Sequence, residues 1–245
     1  MDETYRDFIE RRREDILTRM GRALAASGRT LADVTLVAVS KTVGVDEVLA
    51  AIDAGYRVFA ENRPQELVRK LDALGACEGV PSVRFDMIGN LQKNKVNAVL
   101  GRAALIHSIG SLHLAEAVSS RVERRVADGE MPAPQPVLLE VNVSGEASKS
   151  GFSPDELRAS IDSLRELCGI DIRGLMTMAP RGDKSVARAC FAGLRELCDE
   201  LAASSGLALP ELSCGMSEDF DVALEEGSTI VRLGRVVFDP AFAVR

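Results

Sequence analysis

Lys41 comes directly after the apolar run that opens VAVSKT (37–42), so a long cationic side chain stands where a buried strand should emerge. At the far end of the chain, serines, glycines and arginines gather in SCGMSEDF (213–220) and STIVRLGR (228–235). A lysine amine that loses its proton is a nucleophile for carbonyl groups. A serine at a glycine turn ahead of a helix, and a glycine that lets backbone approach a ligand, are parts of an anion cradle. The pair of features suggests a carbonyl-bearing anion held between them, but Lys41 can equally be a surface lysine with its stem lying on the protein.

These residues need a frame that brings the two chain ends together. After an opening helix over residues 1–30, with Gly28 as its stop, strand-like runs recur at 35–40, 56–60, 83–88, 104–109, 136–143, 170–176, 211–213 and 228–234. Helical patterns such as VDEVLAAIDAG, PQELVRKLDALG, LHLAEAVSSRVERRVADG and PDELRASIDSLRELCG lie between them. Alternation of this kind implies βαβ units and a parallel sheet. Eight strands in 245 residues fit a closed (β/α)8 TIM barrel, usually about 250 residues long. An open doubly wound sheet would carry G-x-G-x-x-G after its first strand, and SKTVG is not that fingerprint. One domain over 1–245 is expected, with the first helix packed on the barrel.

A barrel collects its strand ends on one face. The residues at or just past those ends are Lys41, Glu61 with Asn62, Gly89 with Asn90, His107 with Ser108, Asn142 with Ser144, Met176, Ser213 with Gly215 and Ser217, and Arg232 with Gly234. Ser217 is placed as the cap of a helix beginning near Glu218 or Asp219, where it would meet a phosphate; Gly234 and Arg235 would add backbone N–H groups. Lys41 with a phosphate cradle across the mouth suggests pyridoxal 5′-phosphate, whose aldehyde forms a Schiff base with a lysine. Arg232 would donate to the pyridine nitrogen and leave the ring a weak electron sink. Bland alternatives stand beside each assignment: Asn62 as a helix cap, Ser213 as a turn residue, Arg232 in a structural ion pair, His107 as a core histidine, Lys93 and Lys95 on a solvated face.

Composition narrows the partners. A formal charge of −7 argues against general binding to nucleic acid or anionic membranes. Five scattered cysteines without a Cys-x-x-Cys pair suggest reduced thiols, and two histidines without ligand spacing leave no metal site. The charged N-terminus lacks an apolar signal segment, and no apolar run nears the ~18 residues of a membrane span. A monomeric cytoplasmic protein is expected.

Seven stretches then occur in order between Val37 and Phe238: VAVSKT, AEN…QEL, IGNLQKNK, IHSI, VNVSGEASKSGF, GLMTMAP and SCGMSEDF…A…EGSTIVRLG. Together they resemble the pyridoxal phosphate homeostasis proteins, whose fold is similar to the barrel domain of bacterial alanine racemases. The resemblance implies that Lys41 carries the cofactor as an internal aldimine, that Ser217, Gly234 and neighbouring N–H groups hold its phosphate, and that Arg232 faces the ring nitrogen. It also implies binding, buffering and delivery of the cofactor to apo-enzymes rather than turnover, with an amino-acid racemase as the alternative. Ala60, Pro64, Met87, Asn90 and Arg235 depart from the family's common choices and bear on rim contacts and partner specificity.

Overall fold

The computed structural model describes residues 3–146 and 149–243; Ala147 and Ser148 of the VNVSGEASKSGF stretch lie outside the described residues. Strands β1 (Thr35–Val39), β2 (Val58–Glu61), β3 (Arg84–Met87), β4 (Ile106–Ile109), β5 (Gln135–Glu140), β6 (Ile170–Met176), β7 (Glu211–Ser213) and β8 (Ile230–Leu233) close in that order into a parallel barrel. The helices are α1 (Glu3–Ala25), α2 (Val45–Asp53), α3 (Pro64–Gly75), α4 (Val96–Val99), α5 (Leu112–Ala127), α6 (Pro154–Arg165), α7 (Lys184–Ser205), α8 (Phe220–Glu225) and α9 (Arg235–Phe238). The expected (β/α)8 barrel with an added N-terminal helix is the fold observed. Strand β6 and helix α3 keep their expected limits, whereas β2 starts two residues later and β5 ends three residues earlier than their apolar runs.

Closure results from what each strand buries. Alternate residues face opposite sides of a strand. Val37, Val39, Ala60, Leu105, Leu138, Met176 and Ile230 form an apolar cluster inside the barrel, while Ala38, Phe59, Phe85, Ile106 and Leu139 belong to the larger core between the strands and the helices. Phe59 and Phe85 stack there with centroids 5.4 Å apart. Two residues beyond the inner apolar layer, the same alternation brings in His107 after Leu105, Glu140 after Leu138 and Arg232 after Ile230, all buried. Apolar side chains thus fill the barrel interior, with Val39 and Met176 reaching the cleft at the C-terminal mouth, and buried polar residues join them there.

Local chemistry sets the helix ends. Asp183 caps α7, accepting from Ser185 N at 2.8 Å and Val186 N at 3.3 Å, and Gly206 ends it with φ 73°. Ser153 and Glu156 form a capping box at α6, with Pro154 in the first turn. Helix α1 packs across α8 and α9: Arg19 pairs with Asp221 at 2.6 Å, and Arg12 donates to the Val236 and Phe242 carbonyls at 3.1 and 2.5 Å. The barrel is thereby tied shut near the β8–β1 seam. Among the described residues, no helix is long and apolar enough to cross a membrane, and no acidic, histidine and cysteine cluster is arranged to hold a metal ion. The five cysteines are free thiols.

Candidate functional site

Lys41 lies past the end of β1, exposed, on the wall of a cleft of about 500 Å3 at the barrel's C-terminal mouth. The register that pairs Val37 with Arg232 and Ala38 with Leu233 brings the two ends of the chain side by side. Asn62, Ser217, Arg232, Gly234 and Arg235 line the same cleft. Six of the seven expected site residues therefore meet across one opening. Ser213 is the exception. It is buried inside the barrel and does not line the cleft.

Ser213 instead orients Arg232. The Arg232 guanidinium donates through Nη1 to Ser213 Oγ at 2.5 Å and through Nη2 to the Thr177 carbonyl at 3.0 Å. Behind Ser213, His107 Nδ1 lies 2.9 Å from its hydroxyl, and His107 Nε2 lies 3.2 Å from Asp86 Oδ2. Arg84 grips Asp86 with two bonds of 2.8 Å. Burial pushes the Asp86 carboxyl up, but the bonds from His107 and Arg84 outweigh it and hold the group below its ordinary value. An ionised Asp86 only accepts, so Nε2 of His107 carries the hydrogen and Nδ1 accepts from the Ser213 hydroxyl. The Ser213 oxygen is then left to accept from Arg232. His107 is thus a satisfied core histidine whose bonds run to the site, and burial pulls its pKa below the ordinary value.

Arg232 is 4% exposed and makes no ion pair among the described residues. Burial lowers its pKa, yet a guanidinium begins so far above neutrality that it stays charged. The structural ion pair weighed as an alternative is absent among the described residues. A buried cation fixed by two neutral acceptors leaves donor capacity toward the cleft, which suits a ring nitrogen.

The anion cradle differs from the sequence expectation in one respect. Ser217 does not cap a helix: α8 begins at Phe220 with Asp219 before it, and Asp219 Oδ1 accepts from Met216 N at 2.6 Å. The acidic side chain four residues beyond Gly215 folds back on the turn, so the serine is released for another use. Ser217 Oγ accepts from Val236 N at 3.1 Å and thereby ties the β7 loop to the β8 loop. The backbone N–H groups of Ser217, Gly234 and Arg235 carry no hydrogen bond among the described residues. A Cβ on Gly234 would lie 3.3 Å from the Val39 carbonyl oxygen, so glycine allows β8's exit to press against β1. The Arg235 side chain turns outward to Glu218 at 2.6 Å and over the Phe242 ring, so only its backbone serves the cradle.

Asn62 is exposed on the cleft and does not cap α3, whose N-cap position is Arg63. Behind Lys41, on the helix-facing side of the wall, lies a buried ion pair that sequence reasoning missed. Lys70 of α3 donates to Glu61 Oε1 at 2.5 Å and to the Ser40 carbonyl at 2.6 Å; Ser40 Oγ donates to the same Glu61 oxygen at 2.7 Å. The ends of β1 and β2 are clamped one residue before Lys41 and Asn62. Lys70 reads as a helix-surface charge in sequence, and only its apolar neighbours Leu67, Leu71 and Leu74 hint otherwise. Met178 of the GLMTMAP stretch also lines the cleft, as do Glu140 and Arg181, which the sequence did not single out. Asn142 and Ser144 bond to Glu146 and to each other within their loop and lie outside the cleft. Tyr5 donates to the Phe238 carbonyl, and Tyr56 is buried under Arg13 with its hydroxyl unpartnered among the described residues; neither reaches the cleft.

Comparison with known proteins places this geometry. Residues 20–240 match the family model for the alanine racemase N-terminal domain. The pyridoxal phosphate homeostasis protein of Aquifex aeolicus is 38% identical over 224 residues, covering 91% of this chain and 94% of the relative. A crystal structure of an unknown protein from Bifidobacterium adolescentis is 38% identical, with TM-score 0.87 and 97% of each chain covered. PipY of Synechococcus elongatus, solved with PLP bound, is 32% identical with TM-score 0.76, covering 89% of this chain and 99% of that one. The curated relatives are named as homeostasis proteins rather than as enzymes. A barrel that matches the racemase domain along nearly its whole length, and relatives at this identity end to end, make the chain a member of the pyridoxal phosphate homeostasis protein family.

Proposed function

We propose that the protein binds pyridoxal 5′-phosphate through an imine between the cofactor's aldehyde and the Lys41 amine, formed with loss of water, and that it buffers this cofactor or hands it to apo-enzymes. The observation that carries the reading is the meeting, in one cleft, of Lys41, a buried Arg232 and three backbone N–H groups, the last two without an ion pair or hydrogen-bond acceptor respectively among the described residues. The residues fit the cofactor at each of its functional ends: an amine for the aldehyde, a cationic donor for the ring nitrogen and N–H groups for the phosphate. PipY with PLP bound supports the same assignment. The cofactor supplies a reactive aldehyde; this chain orients it, and Arg232 keeps the ring nitrogen unprotonated. The chain is taken to work as a single-domain cytoplasmic monomer.

Racemase activity is the weaker reading. Proton return to the opposite face needs an acid there, and neither tyrosine reaches the cleft. Borohydride reduction of protein loaded with pyridoxal 5′-phosphate, with peptide mass mapping of the product, tests the proposal. The pyridoxyl adduct is expected on Lys41; an adduct on any other lysine overturns it.

A further inference from the structure

Beside the cofactor cleft lies a second cavity of about 640 Å3, sharing Asn90, Glu140 and Ser150 with it but none of Lys41, Ser217, Arg232 or Gly234. Its walls come from IGNLQKNK, from the residues around IHSI and from the end of VNVSGEASKSGF, three stretches that the cofactor cleft uses only at its rim.

Two charged side chains face this space without partners. Glu140, at the end of β5, is 4% exposed and makes no hydrogen bond or ion pair through its side chain among the described residues. Lys93, in the short 3-10 turn Lys93–Lys95, likewise has no carboxylate or acceptor among the described residues. A buried carboxyl without a donor is unfavourable, and native structures ordinarily satisfy such groups. Burial raises the pKa of the Glu140 carboxyl, opposed only by the charge of Arg232 in the adjoining cleft, and Lys93, the cation on this cavity's own wall, does not reach it.

Two glycines let the backbone pack closely along its wall. A Cβ on Gly110 would sit 3.2 Å from Gly151 Cα and N, so glycine lets these two loops approach, and it would only touch Glu140 Oε2, at 3.6 Å. Gly151, at φ 113°, has no room either, since its Cβ would lie 2.8 Å from the Glu140 carbonyl oxygen. The volume exceeds many times the share of about 30 Å3 that one water occupies. Ser111, the N-cap of α5, and Asn94 add neutral polar contacts, while Leu91 and Leu114 offer a small apolar surface. A ligand that satisfies both ends must carry a donor cation and an anion on one small frame. We propose that this cavity is a second binding site, for a free α-amino acid, its ammonium on Glu140 and its carboxylate toward Lys93. The shared wall at Asn90 and Glu140 would let its occupancy bear on the cofactor cleft. The site does not require the Lys41 chemistry.

The test is isothermal titration calorimetry of the full chain with each proteinogenic L-amino acid at millimolar concentration, in wild-type and Lys41→Ala proteins. The expected result is binding of at least one amino acid by both proteins, which separates this site from attack on a lysine-bound aldehyde. N-acetylation or methyl esterification of that amino acid should each weaken binding about tenfold or more, as should Glu140→Gln. Lys93→Ala, on a turn at the surface, gives the carboxylate arm independently should Glu140→Gln fail to fold. No binding by any amino acid overturns the proposal. So does binding that the N-acetyl derivative keeps, as a simple anion site would, or that neither variant weakens, since the ligand would then lie elsewhere. Loss of binding in Lys41→Ala alone would also overturn it, because the amino acid would then be reacting at the cofactor.

Discussion

Replacing Lys70 by methionine tests whether the ion pair behind Lys41 shapes both stability and the site. The side chains of Lys70 and Glu61 are 1% and 0% exposed, and Glu61 Oε2 already has no partner among the described residues. Removing the lysine leaves Glu61 with only the Ser40 hydroxyl, at 2.7 Å, and frees the Ser40 carbonyl. Loss of one member of a buried pair costs about 3–5 kcal/mol, because the remaining charge stays desolvated. In a chain of this size each kcal/mol lowers Tm by about 2–4 °C, so a fall of about 6–20 °C is expected. Adding Glu61→Gln to Lys70→Met removes the stranded charge and should recover most of the loss, since apolar or neutral replacements of whole buried pairs are often near neutral. Urea unfolding of the wild type, both single variants and the double variant gives the cycle. The single Lys70→Met protein should also load less cofactor at Lys41, measured as borohydride-trapped pyridoxyl, because Ser40 is no longer held. A Lys70→Met loss under about 1 kcal/mol, or a double variant that loses the sum of the singles, would refute this account of the clamp.

Ser217→Ala combined with Gly234→Asp should weaken cofactor binding by at least about a hundredfold, while Lys95→Ala leaves it nearly unchanged; equal losses in a fluorescence titration would mean that general charge governs binding. His107 is held below its ordinary pKa, mainly by burial, so its contribution to stability is present above the unfolded value near 6.5 and is lost as pH falls toward the folded value. The stability advantage of wild type over His107→Gln should therefore shrink between about pH 7.5 and pH 5.5 in urea melts, and a constant difference would contradict the buried neutral imidazole. Racemisation of L- or D-amino acids should not rise above that of free pyridoxal 5′-phosphate; saturable racemisation abolished by Lys41→Ala would restore the enzyme reading.

Much of the fold was legible because local patterns and the global fold agree. The apolar runs at 35–40 and 228–234 alternate with helical periods, and eight of them in this length close a barrel. Lys41, Ser217, Arg232 and Gly234 were legible for a related reason: in a parallel barrel every strand end reaches the same face, so adjacency in space is set by position within each βα unit. Helix α7 went unmarked although it is 22 residues long, since its apolar positions are mixed with cysteine, alanine and serine and weaken the periodic signal.

What tertiary structure alone decided concerns which polar groups satisfy one another. Ser213 and Ser217 look interchangeable in SCGMS, yet one is buried inside the barrel under Arg232 and the other joins two loops at the cleft. The difference is set by strand parity and by Asp219 taking the turn's N–H, neither of which can be fixed without the closed barrel. Ser40, Glu61 and Lys70 come from three successive segments, and nothing in the sequence pairs them. Their pairing, like the failure of Glu140 and Lys93 to pair, depends on how α3, α5 and the strand ends pack. Apolar periodicity is a property of short segments and survives in sequence; compensation of buried charge is a property of neighbours in space, and it exists only once the barrel has closed.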